Sequence, residues 1–359
     1  MSLAIRRATL AEDREVLSDL FDRHFAEFGN NHGPRFEYHV MRNPAGEGWT
    51  WLAYEQSDKS IVGTTSVFRR SMYVNGKKLD VGQVMFFAVN ASHRSLGPAV
   101  MLQRATFEPV NSGELAFCYD CPPHNEGMST FVRLRMPANC EVVRYTLPLR
   151  SDEYLAKKFG DAVWTKPAAS VANLLLRMRR RQPKVSGIEI STFDGPFGEE
   201  FSHLDVAVSS RNAIRASRSA EVLNWLYQDY PPAQKNSSVS YRDESKILVA
   251  RRGGELLAFV IFSMQSDSLI TIKDIFGHEL LEVGGPLLHA VIEIAVKNKM
   301  SGVFGYSAKG SELGRLLLNA GFYARERTAR VVAYEKPNGA ATHLSPSLQW
   351  AFSQFDVMR

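Results

Sequence analysis

Residues 84–103 constrain this chain more than any other stretch. Val84, Met85, Phe86, Phe87, Ala88 and Val89 form an unbroken apolar run that reads as a buried strand. A polar corner over 90–94 follows, then Gly97-Pro98-Ala99. After it comes a helical pattern in which Val100, Met101 and Ala105 face inward and Gln103 and Arg104 face solvent. Small residues at the turn let the main chain come close to a ligand. Pro98 suits the first turn of a helix, where its missing N–H costs nothing. Strand, corner and helix start aim unpaired N–H groups and the positive end of the helix dipole at one point. That is an anion site, most often a phosphate site; the plainer alternative is a corner that uses Gly97 and Pro98 only to turn.

The chain has 359 residues, which exceeds one domain of usual size, so two are expected. Its apolar content of 45% is that of a soluble globular protein and supplies a core for each half. Lysine plus arginine number 43 against 38 acidic residues, a net charge of +5. That falls short of a protein that coats nucleic acid, and it suits an anionic substrate or a polyanionic carrier. No stretch reaches the length of a membrane span, and residues 1–10 carry no apolar signal core. The expectation is a soluble cytoplasmic protein with no nucleic-acid partner and no membrane span. Three cysteines make no disulfide framework.

Arg94-x-x-Gly97-x-Ala99 after a buried strand resembles the acyl-CoA pyrophosphate loop of the GCN5-related N-acetyltransferases (GNAT), Gln/Arg-x-x-Gly-x-Gly/Ala. Pro98 departs from a full set of donors, because it has no N–H for a phosphate contact. The order of predicted elements agrees with such a domain. A strand at 5–9 precedes a helix carrying Val16, Leu17, Leu20, Phe21, His24, Phe25 and Phe28 at helical spacing, and a second short helix covers 36–41. Strands at 50–55, 61–70 and 81–89 follow, the last two joined by the hairpin signal Asn75-Gly76. The helix from Pro98, a strand at 115–119, a helix at 128–136 and a strand at 141–149 complete the series. The resemblance implies an α/β fold of mixed α+β type, a mixed central sheet flanked by helices.

Residues 188–337 repeat this order in outline. A strand at 188–192, two strands about a polar turn over 247–258, and strands at 269–276, 303–307 and 327–335 alternate with helices at 197–208, 220–227, 286–297 and 311–319. The expected organisation is two tandem GNAT-like domains. Residues 1–150 bind acyl-CoA, 151–187 form a connector, and 188–337 form a second, degenerate domain. The tail 338–359 carries an apolar helical patch, Leu344, Leu348, Trp350, Ala351, Phe352 and Phe355, and is expected to dock on one of the domains as a helix. The corner at 278–285 has lost the loop pattern and places Glu279 and Glu282 where a diphosphate would sit, so their repulsion argues against CoA in this half. Arg177, Arg179, Arg180 and Arg181 in the connector make either a solvated helix end or a dock for an acidic partner such as an acyl carrier protein.

Moving an acyl group from a thioester to an amine requires a neutral amine, a polarised carbonyl and a protonated leaving thiolate. In the resembled fold the cofactor lies between the organising strand and the next one. That implies main-chain contacts from Phe87, Ala88 and Val89, and diphosphate contacts from Arg94, Ser95, Leu96, Gly97 and Ala99. It also implies that Asn125 lies against the cofactor. Candidates for proton transfer then fall on 115–126. Tyr119 or His124 could return a proton to the thiolate, and Asp120, Glu126 or His124 could take one from the amine. Each has a plainer reading, Tyr119 as a core residue and His124 as a loop histidine. Cys118-x-x-Cys121 with His124 supplies three zinc-type ligands but no nearby fourth, and Cys118 within a strand is poorly placed for redox work. Small apolar filler is the expected role of these cysteines, and no metal is expected.

Paired GNAT domains resemble Fem-type aminoacyl-transferases, N-myristoyltransferases and acetyltransferases of bacterial polysaccharide clusters. The phrase His93-Arg94-Ser95-Leu96-Gly97-Pro98-Ala99 with Asn224-Trp225 resembles the last group best. The expected activity is therefore acyl transfer, with acetyl-CoA or another acyl-CoA as donor and an amino sugar, amino acid or similar small amine as acceptor. Two alternatives stand beside it. One is an acyl-carrier-protein-dependent N-acyltransferase with a longer chain, and the other is a catalytically degenerate pair acting as a binding module.

Overall fold

The computed structural model describes residues 2–24, 32–93, 96–122, 130–131, 134–136, 138–151, 187–209, 213–229, 245–264, 268–337, 343–344 and 349–357. The chain opens with strand β1 (Leu3–Arg7) and helices α1 (Leu10–His24) and α2 (His32–Met41). Strands β2 (Trp49–Glu55), β3 (Ile61–Val74) and β4 (Lys77–Val89) form an antiparallel meander. Asn75 and Gly76 both take positive φ, 50° and 77°, as a two-residue hairpin turn requires. Helices α3 (Leu96–Ala105) and α4 (Glu108–Asn111), and strands β5 (Phe117–Asp120) and β6 (Ala138–Pro148), complete the first half.

The second half runs β7 (Glu189–Thr192), α5 (Glu199–Ala207), β8 (Ala213–Ala216), α6 (Ala220–Tyr227), β9 (Lys246–Arg252), β10 (Glu255–Met264) and β11 (Leu269–Gly277). Helix α7 (Leu280–Lys297), β12 (Gly302–Ala308), α8 (Glu312–Asn319), β13 (Tyr323–Glu335), β14 (Gln349–Trp350) and α9 (Gln354–Val357) follow. Helix α7 starts at Leu280 and not at Pro286, which lies inside it. Leu280, Val283 and Gly284 are buried, and a Cβ on Gly284 would stand 2.5 Å from Leu316 of α8. That packing carries the helix N-terminal of its proline. Strand β8 has no counterpart in the sequence-based reading.

All described strands belong to one sheet, in the order β1-β2-β3-β4-β5-β13-β6-β12-β11-β10-β9-β7, with β8 and β14 on a branch from β3. The order is a palindrome about the β13–β6 pair. Strand β4 corresponds to β11, β5 to β12, and each half has a parallel pair at that place, β4–β5 and β11–β12. The last strand of each half has crossed over. Strand β6 lies between β13 and β12, and β13 lies between β5 and β6. The strand at 141–149 thus does not close a sheet of its own half.

The core follows the sheet across the middle. One cluster joins Met72, Val81, Phe117 and Tyr119 of the first half to Phe201, Ile214, Phe259, Trp350 and Phe352 of the second. A second lies under α7 and α8 and includes Tyr145 and Leu147 from β6 with Phe262, Ile272 and Leu287. Among the described residues no helix is long and apolar enough to cross a membrane.

Candidate functional site

Strands β4 and β5 pair in parallel only at Gly82–Cys118 and Gln83–Tyr119. Gly82 is required there, since a Cβ would stand 2.5 Å from Val67 and 2.9 Å from Leu115. Beyond this point β4 follows β3 and leaves β5. The register with β3 slips between Thr64–Ala88 and Ser66–Met85, which puts one extra residue on β4. That is a β-bulge, and Phe86 takes φ 53° within it. The Phe86 ring packs on Phe21, Phe36 and Phe68 at centroid distances of 4.8, 5.5 and 5.8 Å. Phe87 and Val89 pack on a separate cluster around Trp51, Leu102 and Phe107. The bulge sends neighbouring side chains to different cores, so the strand cannot slide back. Ala88 and Val89 pair with β3 on one side only and have no partner strand on the other among the described residues. A two-pronged opening, here called the first fork, results.

The corner at its end is tied down from three elements. The 3₁₀ turn Ala91–His93 follows Asn90, whose backbone N–H donates to Val62 O (2.8 Å) and whose side-chain amide donates to Ile61 O (3.0 Å). His24 from the last turn of α1 lies 2.8 Å from Asn90 Oδ1, and His93 Nε2 lies 2.6 Å from Glu55 Oε1. Helix α3 then begins at Leu96, with Gly97 exposed and Pro98 buried in its first turn. A helix start carries N–H groups without intrahelical partners. The first turn of α3 holds the N–H groups of Leu96, Gly97 and Ala99, and Pro98 has none. The inward face of α3 differs from expectation. Leu102 and Gln103 are buried while Val100 and Met101 are half-exposed, and Gln103 Nε2 donates to Thr106 Oγ1 at 3.2 Å. Burial of Pro98 sets a phase that turns Leu102, one helical turn on, toward the core.

Tyr119 lies at the root of the fork, 1% exposed, against Trp350 (6.1 Å) and Phe352 (5.9 Å). Its hydroxyl has no hydrogen-bond partner among the described residues, and burial pushes its pKa up. Asp120 is half-buried at the end of β5 opposite Val332. Arg94, Ser95, His124, Asn125 and Glu126, and the arginines of 177–181, lie outside the described residues. All three cysteines are free thiols. Burial pushes Cys118 up, and Cys140 up to about 12, so neither is a ready thiolate.

The second half repeats the fork. Strands β11 and β12 pair from Leu269–Gly302 to Ile272–Gly305, and a bulge on β11 at Lys273 marks the point where they part. At its corner Glu279 takes φ 51°, and Glu282 meets Arg252 at 2.9 Å. The tail fills this fork. Ala308 N–H donates to Phe352 O (3.2 Å), and α9 packs on β11 and β12. Arg218 Nε reaches Asp274 of β11 at 3.0 Å, and its Nη2 reaches Asp356 of α9 at 2.9 Å. All three side chains are buried. Burial and the second carboxylate push Asp274 up against the pull of Arg218. Asp356 O in turn accepts from Gln83 Nε2 of the first fork at 3.1 Å. Sequence reasoning passed over Gln83, Arg218, Asp274 and Asp356. Asp274 alone left a signal, as a charge inside the apolar run 269–277.

Residues 4–124 match the family model of the acetyltransferase (GNAT) domain. By sequence, no curated protein matches the chain significantly. Its fold is similar to that of a GCN5-related N-acetyltransferase from Anabaena variabilis, with a TM-score of 0.64 at 10% identity over 92% of this chain and 72% of that one. A probable N-acyltransferase of unknown function from Enterococcus faecalis gives 0.63 at 10% identity, over 93% and 72%. Saccharomyces cerevisiae N-myristoyltransferase, solved with bound myristoyl-CoA, gives 0.58 at 12% identity, over 93% and 80%. These likenesses cover both halves of the sheet; the family match covers the first fork and its corner.

Proposed function

We propose, on the premise that residues 4–124 are a GNAT acetyltransferase domain, that the protein moves an acyl group from acyl-CoA to the amine of a small acceptor. The observation that carries this reading is the first fork. Main chain at Phe87, Ala88 and Val89 is left unpaired by β5, and the start of α3 stands at its end. An amide-bearing thioester would complete the β4 edge as an added strand does, and its diphosphate would meet the N–H groups of Leu96, Gly97 and Ala99. Arg94 and Ser95 would join that contact, and Asn125 would lie against the cofactor. The amine nitrogen attacks the thioester carbonyl, the C–S bond breaks, and the thiolate takes a proton. Tyr119 or His124 returns that proton, while Asp120, Glu126 or His124 removes the one from the amine.

In this reading residues 1–150 hold the donor, 188–337 hold none, and the acceptor, an amino sugar or amino acid, enters between them. Acetyl-CoA is the donor we favour. Gly97 is exposed in the first turn, so Gly97→Trp blocks the corner without touching the core. The expected result is loss of acetyl-CoA binding in calorimetry with an unchanged thermal transition. Unaltered affinity would refute the donor site. Release of free thiol with a panel of amines separates an enzyme from a binding module.

A further inference from the structure

The sheet is palindromic, yet its two forks are treated differently. We propose that the segment 350–356 is a built-in occupant of the second fork, and that Arg218, by holding it there, positions Gln83 for the donor in the first. This rests on the donor reading given above for the first fork. Ala308 N–H lies beyond the last β11–β12 pair, where an open fork would offer it to a ligand, and Phe352 O takes it. Arg218 then joins one flank of the fork to its occupant, through one carboxylate from β11 and one from the segment itself. Ser353 N–H also donates to Asp356 Oδ2 at 2.8 Å, which fixes the turn into α9. A buried charged trio is seldom more stable than apolar residues of the same size, but it tolerates only one geometry. Its effect here is placement.

What it places is the carbonyl of Asp356. Gln83, 2% exposed, spends its NH2 group on that oxygen, and its Oε1 has no partner among the described residues. A buried amide oxygen left in this state is an acceptor waiting for an N–H. Gln83 stands opposite Tyr119 in the last parallel pair, at the root of the first fork. A donor that carries amide N–H groups along β4 supplies what Oε1 lacks. Gln83 is thus a binding residue, and Arg218, Asp274 and Asp356 are positioning residues that act through it.

The test uses the full chain and acetyl-CoA. In the wild-type protein, acetyl-CoA should slow hydrogen exchange over 84–89 but not over 273–277, with one molecule bound per chain. Gln83→Leu leaves the ion pairs intact; it should raise KM for acetyl-CoA about tenfold, the equivalent of one hydrogen bond, with KM for the amine unchanged. Arg218→Met should give the same rise together with faster exchange over 349–357. If Arg218→Met does not fold, Gln83→Leu decides alone. Protection at 273–277, a second bound acetyl-CoA, or an unchanged KM in Gln83→Leu overturns the proposal. If acetyl-CoA protects neither fork, the donor reading fails; exchange over 349–357 in Arg218→Met then judges the lock by itself, and no change there overturns it.

Discussion

Replacing Phe262 by alanine asks whether the crossed strands make one folding unit. Phe262 is fully buried on β10 and shares its cluster with Tyr145 and Leu147 of β6, which come from the other half of the sequence. Removing such a ring costs about 3–5 kcal/mol through lost burial and the cavity left behind. If β6 and β13 lock the halves together, that loss is felt by every amide that exchanges only on global opening. Among these are the amides of β3 at 64–70, which lie far from the substitution along the sheet. Their protection should fall by roughly two to three and a half orders of magnitude, the same free energy read as a rate ratio. Native-state hydrogen exchange with mass spectrometry on peptides from β3 and β10 measures both at once. Should β10 speed up while β3 keeps its wild-type rate, the halves open separately and the shared sheet does not govern stability.

Two further outcomes follow from the site and from the first helix. Tyr119→Phe removes a buried hydroxyl that has no partner among the described residues, so stability should stay within about 1 kcal/mol of wild type or rise; kcat should fall about a hundredfold if this hydroxyl returns the proton. A stable variant with full kcat would remove Tyr119 from the chemistry. Asp13 is held below the ordinary carboxylate value of 3.8, first by Arg6 and also by the Thr9 N–H, with burial opposing. Its folded pKa lies below its unfolded one, so its contribution is present above about pH 4 and lost as pH falls through the folded value. Asp13→Asn should therefore lose less stability between pH 6 and pH 3 than wild type in urea titrations, and equal losses would contradict the assignment.

The order of strands and helices was readable because each buried strand carries its own apolar run and each turn its own punctuation. Asn75-Gly76 marks one hairpin, and Gly253-Gly254, both with positive φ, marks another. Strand β4 and the glycine-containing corner after it were readable for the same reason; the opening beside the strand came only with the family resemblance, since no local pattern marks the bulge at Phe86. What could not be read is which strand pairs with which. Residues 141–149 and 327–335 have the same alternating pattern whether each stays at home or crosses over, since period fixes a face and not a neighbour. Gln103 and Gln83 were lost to a similar ambiguity. A polar residue reads as surface until its partner is seen, and those partners, Thr106 Oγ1 and Asp356 O, are set by tertiary packing. Asp356 lies in the short helix Gln354–Val357, within the tail read as a docking helix, but nothing local shows which groups its side chain meets.

The crossing of β6 and β13 bears on how this polypeptide can be divided. A cut near residue 160 looks natural on paper, yet the N-terminal piece would carry β6 with no bed to lie in and would expose the edge of β5. The C-terminal piece would have the reverse defect, with β12 bare and β13 unplaced. Each fragment holds the strand its counterpart lacks. Expressed apart, both present raw sheet edges prone to aggregate; expressed together, they form a complementary pair in which reassembly is the only route to a finished sheet.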